Sequence, residues 1–315
     1  MNTTRLVSLS FILLASMGAH AQNPSPVKVN NCGQALTFAQ APQRVITTYS
    51  VTTELMLRLG LGDRIVGAAN FGEAMPADLQ TAYTKLNRIG ANYRLPKEIT
   101  LSLRPDFVFD NQPNSAYDGK KGNATQAELR AAGAQLYTLT AKCGGGRVGA
   151  KFEDIYTDLN NLGRIFGVES RARAVVADMS KTVAGVRARV AGRPPVRVMM
   201  YSDGEGPVGV YGPGPYDNVL KLAGAVNVFG DLKDIYAQLS VEEIAVRDFD
   251  AFVILSAEGN EKQAMDFLLR TFPNSKAAKN KRVVAVAYEL VNPGVRSHLG
   301  VERLARGLHP EAFRR

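Results

Sequence analysis

The chain has 315 residues, 45% of them hydrophobic, so it is long and apolar enough to bury about two domain cores. Its formal charge of +9 admits an anionic partner, but no dense Lys/Arg run with interleaved aromatics occurs, which argues against nucleic acid. Beyond the N-terminus no uncharged apolar run reaches the ~20 residues that a membrane helix needs.

In chain order, the first residues read as an export signal. Arg5 supplies the positive charge, residues 6–15 an apolar run too short to span a bilayer, and Ala19-His20-Ala21 a cleavage site. Residues 1–21 are therefore expected to be removed, leaving a periplasmic protein. No cysteine follows the cleavage point, so no lipid anchor is expected. Two cysteines, Cys32 and Cys143, remain. In an oxidising compartment an even count favours a disulfide, and two unpaired thiols are the alternative.

Residues 27–38 alternate around an Asn-Asn-Cys-Gly turn and predict a hairpin. Strands follow at 45–49, 65–69, 89–90, 107–109 and 135–139. Helices are predicted at 54–59, 97–103, 126–132 and 152–166. Strands alternating with helices predict an α/β lobe over 22–168, with a mostly parallel sheet covered on both faces. In residues 169–192, Ala172, Val175, Val176, Met179, Val183, Val186 and Val190 recur every three or four positions, and Gly192 with Pro194-Pro195 ends the run. This predicts a long helix linking two lobes. The pattern then restarts over 193–315, with strands at 196–201, 251–255 and 282–287 and helices at 217–223, 241–246 and 264–270. Residues 300–307 lie in a terminal helix. One stretch echoes another: residues 96–109 and 239–254 each give a short helix opening with an acidic residue, then a basic turn, an Asp and a buried strand. That suits two related lobes.

A set of short motifs recurs in order along the chain. They are Pro42-Gln43-Arg44-Val45-Ile46, Thr53-Glu54-Leu55, LGLGDRIVG at 59–67, LSLRPDFV at 101–108, LGRIFGV at 162–168, PGVR at 293–296 and LHPE at 308–311. With this set the chain resembles the substrate-binding proteins of bacterial ABC importers. The matching group has two α/β lobes joined by one helix and binds ferric siderophores, haem or vitamin B12. Asn31-Cys32-Gly33 and Cys143 resemble a subset of exported iron-complex receptors, which supports pairing the cysteines. The resemblance implies a monomeric receptor whose ligand lies between the lobes and whose linking helix limits hinge closure. It also implies that Glu98 and Glu242, at matched places in the echoed helices, meet permease arginines.

For the ligand, a bare metal ion is disfavoured. His20 leaves with the signal, and His298 and His309 have no carboxylate cluster at ligand spacing. A metal held in an organic chelate needs no such cluster, and the protein needs no cofactor of its own. Aromatic and basic loop residues then do the binding, by stacking and charge pairing. The candidates are Tyr49, Tyr93, Arg94, Tyr117 and Arg147 from the first lobe, and Tyr201, Tyr211, Tyr216, Tyr288 and Arg296 from the second. A ferric siderophore or similar iron chelate is the expected cargo. Haem is an alternative through a Tyr ligand, and cobalamin is less favoured because the chain has no Trp. An exported enzyme is the more distant reading. Residues 204–209 match G-x-G-x-x-G after a strand, but the residues that follow predict a strand and turn where a dinucleotide site needs a helix.

Overall fold

A computed structural model describes residues 25–69, 75–90, 94–111, 113, 115–145, 148–205, 207–256 and 260–314. The export signal, Tyr93 and Arg147 lie outside them.

The chain begins with a hairpin, β1 (Val27–Asn31) paired antiparallel with β2 (Gln34–Phe38). Its two-residue turn has positive φ at both Cys32 and Gly33, the requirement of a turn whose twist matches the strands. The first lobe follows as β3 (Val45–Thr47), α1 (Ser50–Arg58), β4 (Ile65–Ala69), α2 (Ala77–Thr84), β5 (Arg88–Gly90), α3 (Lys97–Ser102), β6 (Phe107–Asp110), α4 (Gln126–Ala131), β7 (Gln135–Thr138) and α5 (Asp154–Phe166). Its strands form one parallel sheet in the order β5-β4-β3-β6-β7. Asn31 docks the hairpin on the sheet edge: its side chain donates to the Thr138 carbonyl at 2.7 Å and accepts from the Thr138 amide at 2.8 Å.

The linking helix is α6 (Glu169–Val190), 22 residues and so roughly 33 Å long. The predicted apolar stripe is the packed one: Ala172, Met179, Val183 and Val186 are buried, with Val175, Val176 and Val190 partly so. One continuous apolar core runs from Phe107 and Ile155 through Met179 into Val198 and Leu304. The helix is therefore packed into both lobes along its length.

The second lobe contains β8 (Val196–Tyr201), β9 (Val208–Tyr211), α7 (Pro215–Leu222), β10 (Ala225–Asn227), β11 (Tyr236–Leu239), α8 (Val241–Ala245), β12 (Ala251–Ser256), α9 (Glu261–Thr271), α10 (Lys276–Lys279), β13 (Val283–Ala287) and α11 (Ser297–Leu308). Its parallel part runs β10-β8-β12-β13, and β9 with β11 extends it antiparallel beyond the end of β8. Because β9 occupies Val208–Tyr211, no helix opens at the glycine-rich stretch before it, and the dinucleotide fingerprint lacks its phosphate-binding helix.

The sequence echo is structural. In the first lobe the Asp106 carboxylate accepts from the Arg44 amide at 2.8 Å, and Arg44 Nε donates to the Leu103 carbonyl at 2.8 Å. In the second, Asp250 accepts from the Arg197 amide at 3.1 Å, and Arg197 Nε donates to the Asp248 carbonyl at 2.9 Å. Each set ties the first strand of its lobe to the strand after the echoed helix, β3 to β6 and β8 to β12.

Cys32 and Cys143 form a disulfide across a separation of 111 residues. In the chain-entropy model a loop of this size gains up to ~4.7 kcal/mol. The unreduced protein should weigh two hydrogens less than the reduced one, and a Cys32→Ser, Cys143→Ser variant should lose about 2–4 kcal/mol in denaturant titrations. Two alkylatable thiols in freshly isolated protein would contradict this pairing.

Asp158 of α5 fixes the segment that carries Cys143. It accepts from Tyr137 Oη at 2.8 Å, from Thr140 Oγ1 at 2.6 Å and from the Thr140 amide at 3.0 Å. Burial outweighs these bonds and raises its pKa to about 7 from 3.8. The folded state thus holds a proton that the unfolded chain releases between about pH 4 and 7. This residue's contribution falls as pH rises through that window, by up to about 1.4 kcal/mol per unit, and levels off above it. Asp158→Asn should flatten the slope relative to the unaltered protein in urea midpoints measured from pH 4.5 to 8. An identical slope would mean that Asp158 is ionised throughout.

Candidate functional site

In each lobe the strand order reverses once, between β3 and β6 and between β8 and β12. In open α/β sheets the loops diverge at such a point, at the carboxyl ends of the strands, and ligands bind there. Residues near these ends meet across the lobes. Tyr49 directly precedes α1, whose amino end follows β3. Lys142 lies in the turn after β7 and Tyr216 in the first turn of α7. The Lys142 ammonium sits 5.9 Å from the centroid of the Tyr216 ring, a cation–π contact between lobes.

Tyr216 is the hub. Its ring is tilted against Tyr211 with centroids 4.6 Å apart and against Tyr288 at 5.9 Å, and Tyr211 meets Tyr236 at 5.9 Å. The hydroxyls of Tyr216 and Tyr288 share a hydrogen bond of 2.7 Å. Ser202 donates to the Tyr211 hydroxyl at 3.3 Å, and Tyr236 donates to Asp203 at 2.9 Å. Burial, followed by the neighbouring Tyr288 and Tyr211, holds the Tyr216 phenol well above its ordinary pKa. Tyr216 and Lys142 are buried, so the rings and neutral phenols open to a ligand are those of the half-buried Tyr211, Tyr236 and Tyr288. They can stack on a flat or apolar ligand and donate hydrogen bonds to its oxygens.

Of the residues singled out from sequence, Tyr211, Tyr216 and Tyr288 are brought together here, while Tyr49 is buried at the amino end of α1. Tyr201 faces elsewhere: it packs on Phe267 and donates to the Gly204 carbonyl, beside a cavity of about 180 Å³ shared with Asp203, Glu205 and Gln263. Tyr117 belongs to a separate core on the α4 face of the first sheet. Arg94 is exposed at the start of the loop leading into α3. Arg296 lies at the contact between the lobes. Its Nε pairs with Glu54 of α1 at 2.8 Å, with side chains only 13% and 3% exposed. It is engaged as a tie between the lobes. Asn218 adds a second tie, donating to the Ala150 carbonyl at 2.6 Å. Gly294 adds a third contact, since a Cβ there would lie 2.9 Å from Val51.

Lys142, Tyr236, Ser202 and Asp203 were not legible as site residues. Lys142 had one signal, its place beside a cysteine that was itself expected to be anchored. Tyr236 lies on β11, whose burial pattern carries no alternation.

Glu98 and Glu242 occupy the same position in the echoed helices, the second residue of α3 and of α8, and both are exposed. Glu243, not Glu242, closes the capping box with Ser240, so Glu242 is not needed to cap its own helix.

Residues 45–288 match the model of a family described as periplasmic binding protein. The chain belongs to that family. A cobalamin-binding protein of Halobacterium salinarum is 26% identical to this periplasmic binding protein over 98% of its chain and 84% of the relative's. Among solved structures, a periplasmic binding protein from Veillonella parvula superposes with a TM-score of 0.80 at 26% identity, over 90% of this chain and 98% of the other. One from Saccharomonospora viridis, described as an ABC-type Fe3+-hydroxamate transport system, does so with 0.73 at 25%, over 90% and 99%. These neighbours are two-lobed binding proteins with a connecting helix. The family is one of transport receptors for siderophore, haem or B12-type ligands, not of enzymes. No helix among the described residues is long and apolar enough to cross a membrane.

Proposed function

We propose that this periplasmic binding protein captures a ferric siderophore or similar iron chelate between its lobes and delivers it to an ABC importer. The observation that carries this reading is the tyrosine wall of Tyr211, Tyr216 and Tyr288 facing Lys142 across the lobes. Phenol hydroxyls suit the oxygen-rich periphery of a metal chelate, and the half-buried rings of Tyr211 and Tyr288 suit its apolar flanks. The Fe3+-hydroxamate description of the Saccharomonospora viridis neighbour supports it. Haem fits the same aromatic surface. A corrinoid is the second reading, favoured by the name of the Halobacterium salinarum relative. The engagement of Arg296 with Glu54 bears on the choice, because it leaves fewer cations for a highly anionic catecholate. Glu98 and Glu242 are assigned to permease docking, one per lobe.

Tyr211 is half-buried, so Tyr211→Ala should leave the fold intact. It should weaken chelate binding about three- to tenfold, the loss of a stacking partner. Isothermal titration of the purified protein checks this, and unchanged affinity would move the ligand away from the tyrosines.

A further inference from the structure

We propose that a groove at the end of α8 is an anchor site for the importer, in which the surface around Val246 receives an apolar side chain of a periplasmic permease loop with a carboxylate beside it. The proposal rests on the assignment of Glu98 and Glu242 to permease docking and extends it from two charges to a surface.

Val246 is 84% exposed and Ile99 50%, and no other large apolar side chain among the described residues is as open. A lone exposed apolar residue is ordinary. These two are not placed at random, because each lies on one of the echoed helices beside its glutamate. Ile99 directly follows Glu98 on α3. Val246 caps α8 in helical conformation, four residues after Glu242, so the two side chains share one face of the helix. The position that corresponds to Val246 in the first lobe, four residues after Glu98, holds Ser102. The two docking faces are therefore not copies, and the stronger apolar contact belongs to the second lobe.

Beside Val246 the ends of α8 and α9 and the start of α10 enclose a cavity of about 410 Å³, lined by Phe249, Phe272 and Pro273 among others. Phe249 and Phe272 are buried and meet edge to face with centroids 6.1 Å apart, which gives the cavity a fixed apolar floor. Of its cations, Arg247 pairs with Asp231 at 2.6 Å and Lys276 with Asp248 at 2.7 Å. Lys279 also lines it, is exposed, and pairs with no carboxylate among the described residues. Across this face a free carboxylate at Glu242, a bare valine and an ammonium follow one another. A loop carrying an arginine, an apolar residue and an acid complements that order. An apolar side chain seated in a pocket is the kind of contact that dominates interface energies, whereas exposed ion pairs mostly set orientation and encounter rate.

The test is surface plasmon resonance of the mature, chelate-loaded protein over its importer reconstituted in nanodiscs, in low and in high salt. Val246→Ser should weaken binding about tenfold and Ile99→Ser about threefold, in both salts alike, since apolar burial is not screened. Lys279→Glu should weaken it in low salt only. Val246→Ile, which keeps the anchor, should bind as the unaltered protein does. All four variants should keep their melting temperature and chelate affinity, because the side chains are exposed and none belongs to the tyrosine wall. Unchanged importer affinity of Val246→Ser would overturn the anchor, and the docking assignment would survive if Glu98→Lys with Glu242→Lys still released the importer. Unchanged affinity in every one of these variants would overturn both. Sedimentation of the protein alone should show a monomer; a dimer that Val246→Ser dissociates would give the groove to a second copy of the chain and overturn the proposal.

Discussion

Reversing Glu98 and Glu242 to lysine together should abolish uptake by a reconstituted importer while leaving chelate affinity within about twofold. Both residues are exposed and at equivalent helix starts, so the fold should tolerate the change within about 0.5 kcal/mol. At an interface the same change sets like charges against each other, which costs several kcal/mol. Each single variant should retain partial uptake, because one lobe can still dock. Normal uptake by the double variant would sink the docking assignment. Loss of chelate affinity would instead place the two glutamates in the ligand site.

The second large effect is expected at the inter-lobe ion pair. Arg296→Met would leave the Glu54 carboxylate nearly buried, with Arg58 at 3.8 Å as a weaker partner. Removing one member of a buried pair typically costs about 3–5 kcal/mol, since the remaining charge stays desolvated. Replacing both, as Glu54→Leu with Arg296→Met, should recover much of that loss. Urea titrations read out all three proteins, with chelate titrations alongside. A tie between lobes predicts a stability loss that the double change repairs. An Arg296 that touches ligand would instead show lost affinity at unchanged stability.

Much of this architecture was legible from residues alone, because it depends on local periodicity. The stripe from Ala172 to Val190 needs only helical spacing to be seen, and the echo between 96–109 and 239–254 needs only residue order. The structure gives that echo a cause in the paired Arg44–Asp106 and Arg197–Asp250 ties. Short elements were harder. Helix α2 and strands β10 and β11 were not anticipated; Tyr236–Leu239 is half-exposed and held by antiparallel pairing to β9, so tertiary contact and not apolar pattern makes it a strand.

The site was less legible for a related reason. Tyr211, Tyr216 and Tyr288 stood out by residue type in turns after strands, and they do converge. Arg296 looked equally suited, but its partner Glu54 is 242 residues away, and such a pairing leaves no trace in local sequence. Tyr117 has the same chemistry as the others yet lies on the other side of the first sheet. Residue type identifies what could bind, while topology decides what meets.

The most direct test of the receptor assignment is native mass spectrometry of the mature protein against ferric hydroxamate and catecholate siderophores, haemin and cyanocobalamin at equal concentrations. The expected result is a 1:1 complex with a ferric siderophore that outlasts those with the other ligands and is weakened by Tyr211→Ala. Retention of cyanocobalamin or haemin alone would contradict the iron-siderophore reading, and failure to retain any of them would contradict the metal-chelate receptor itself.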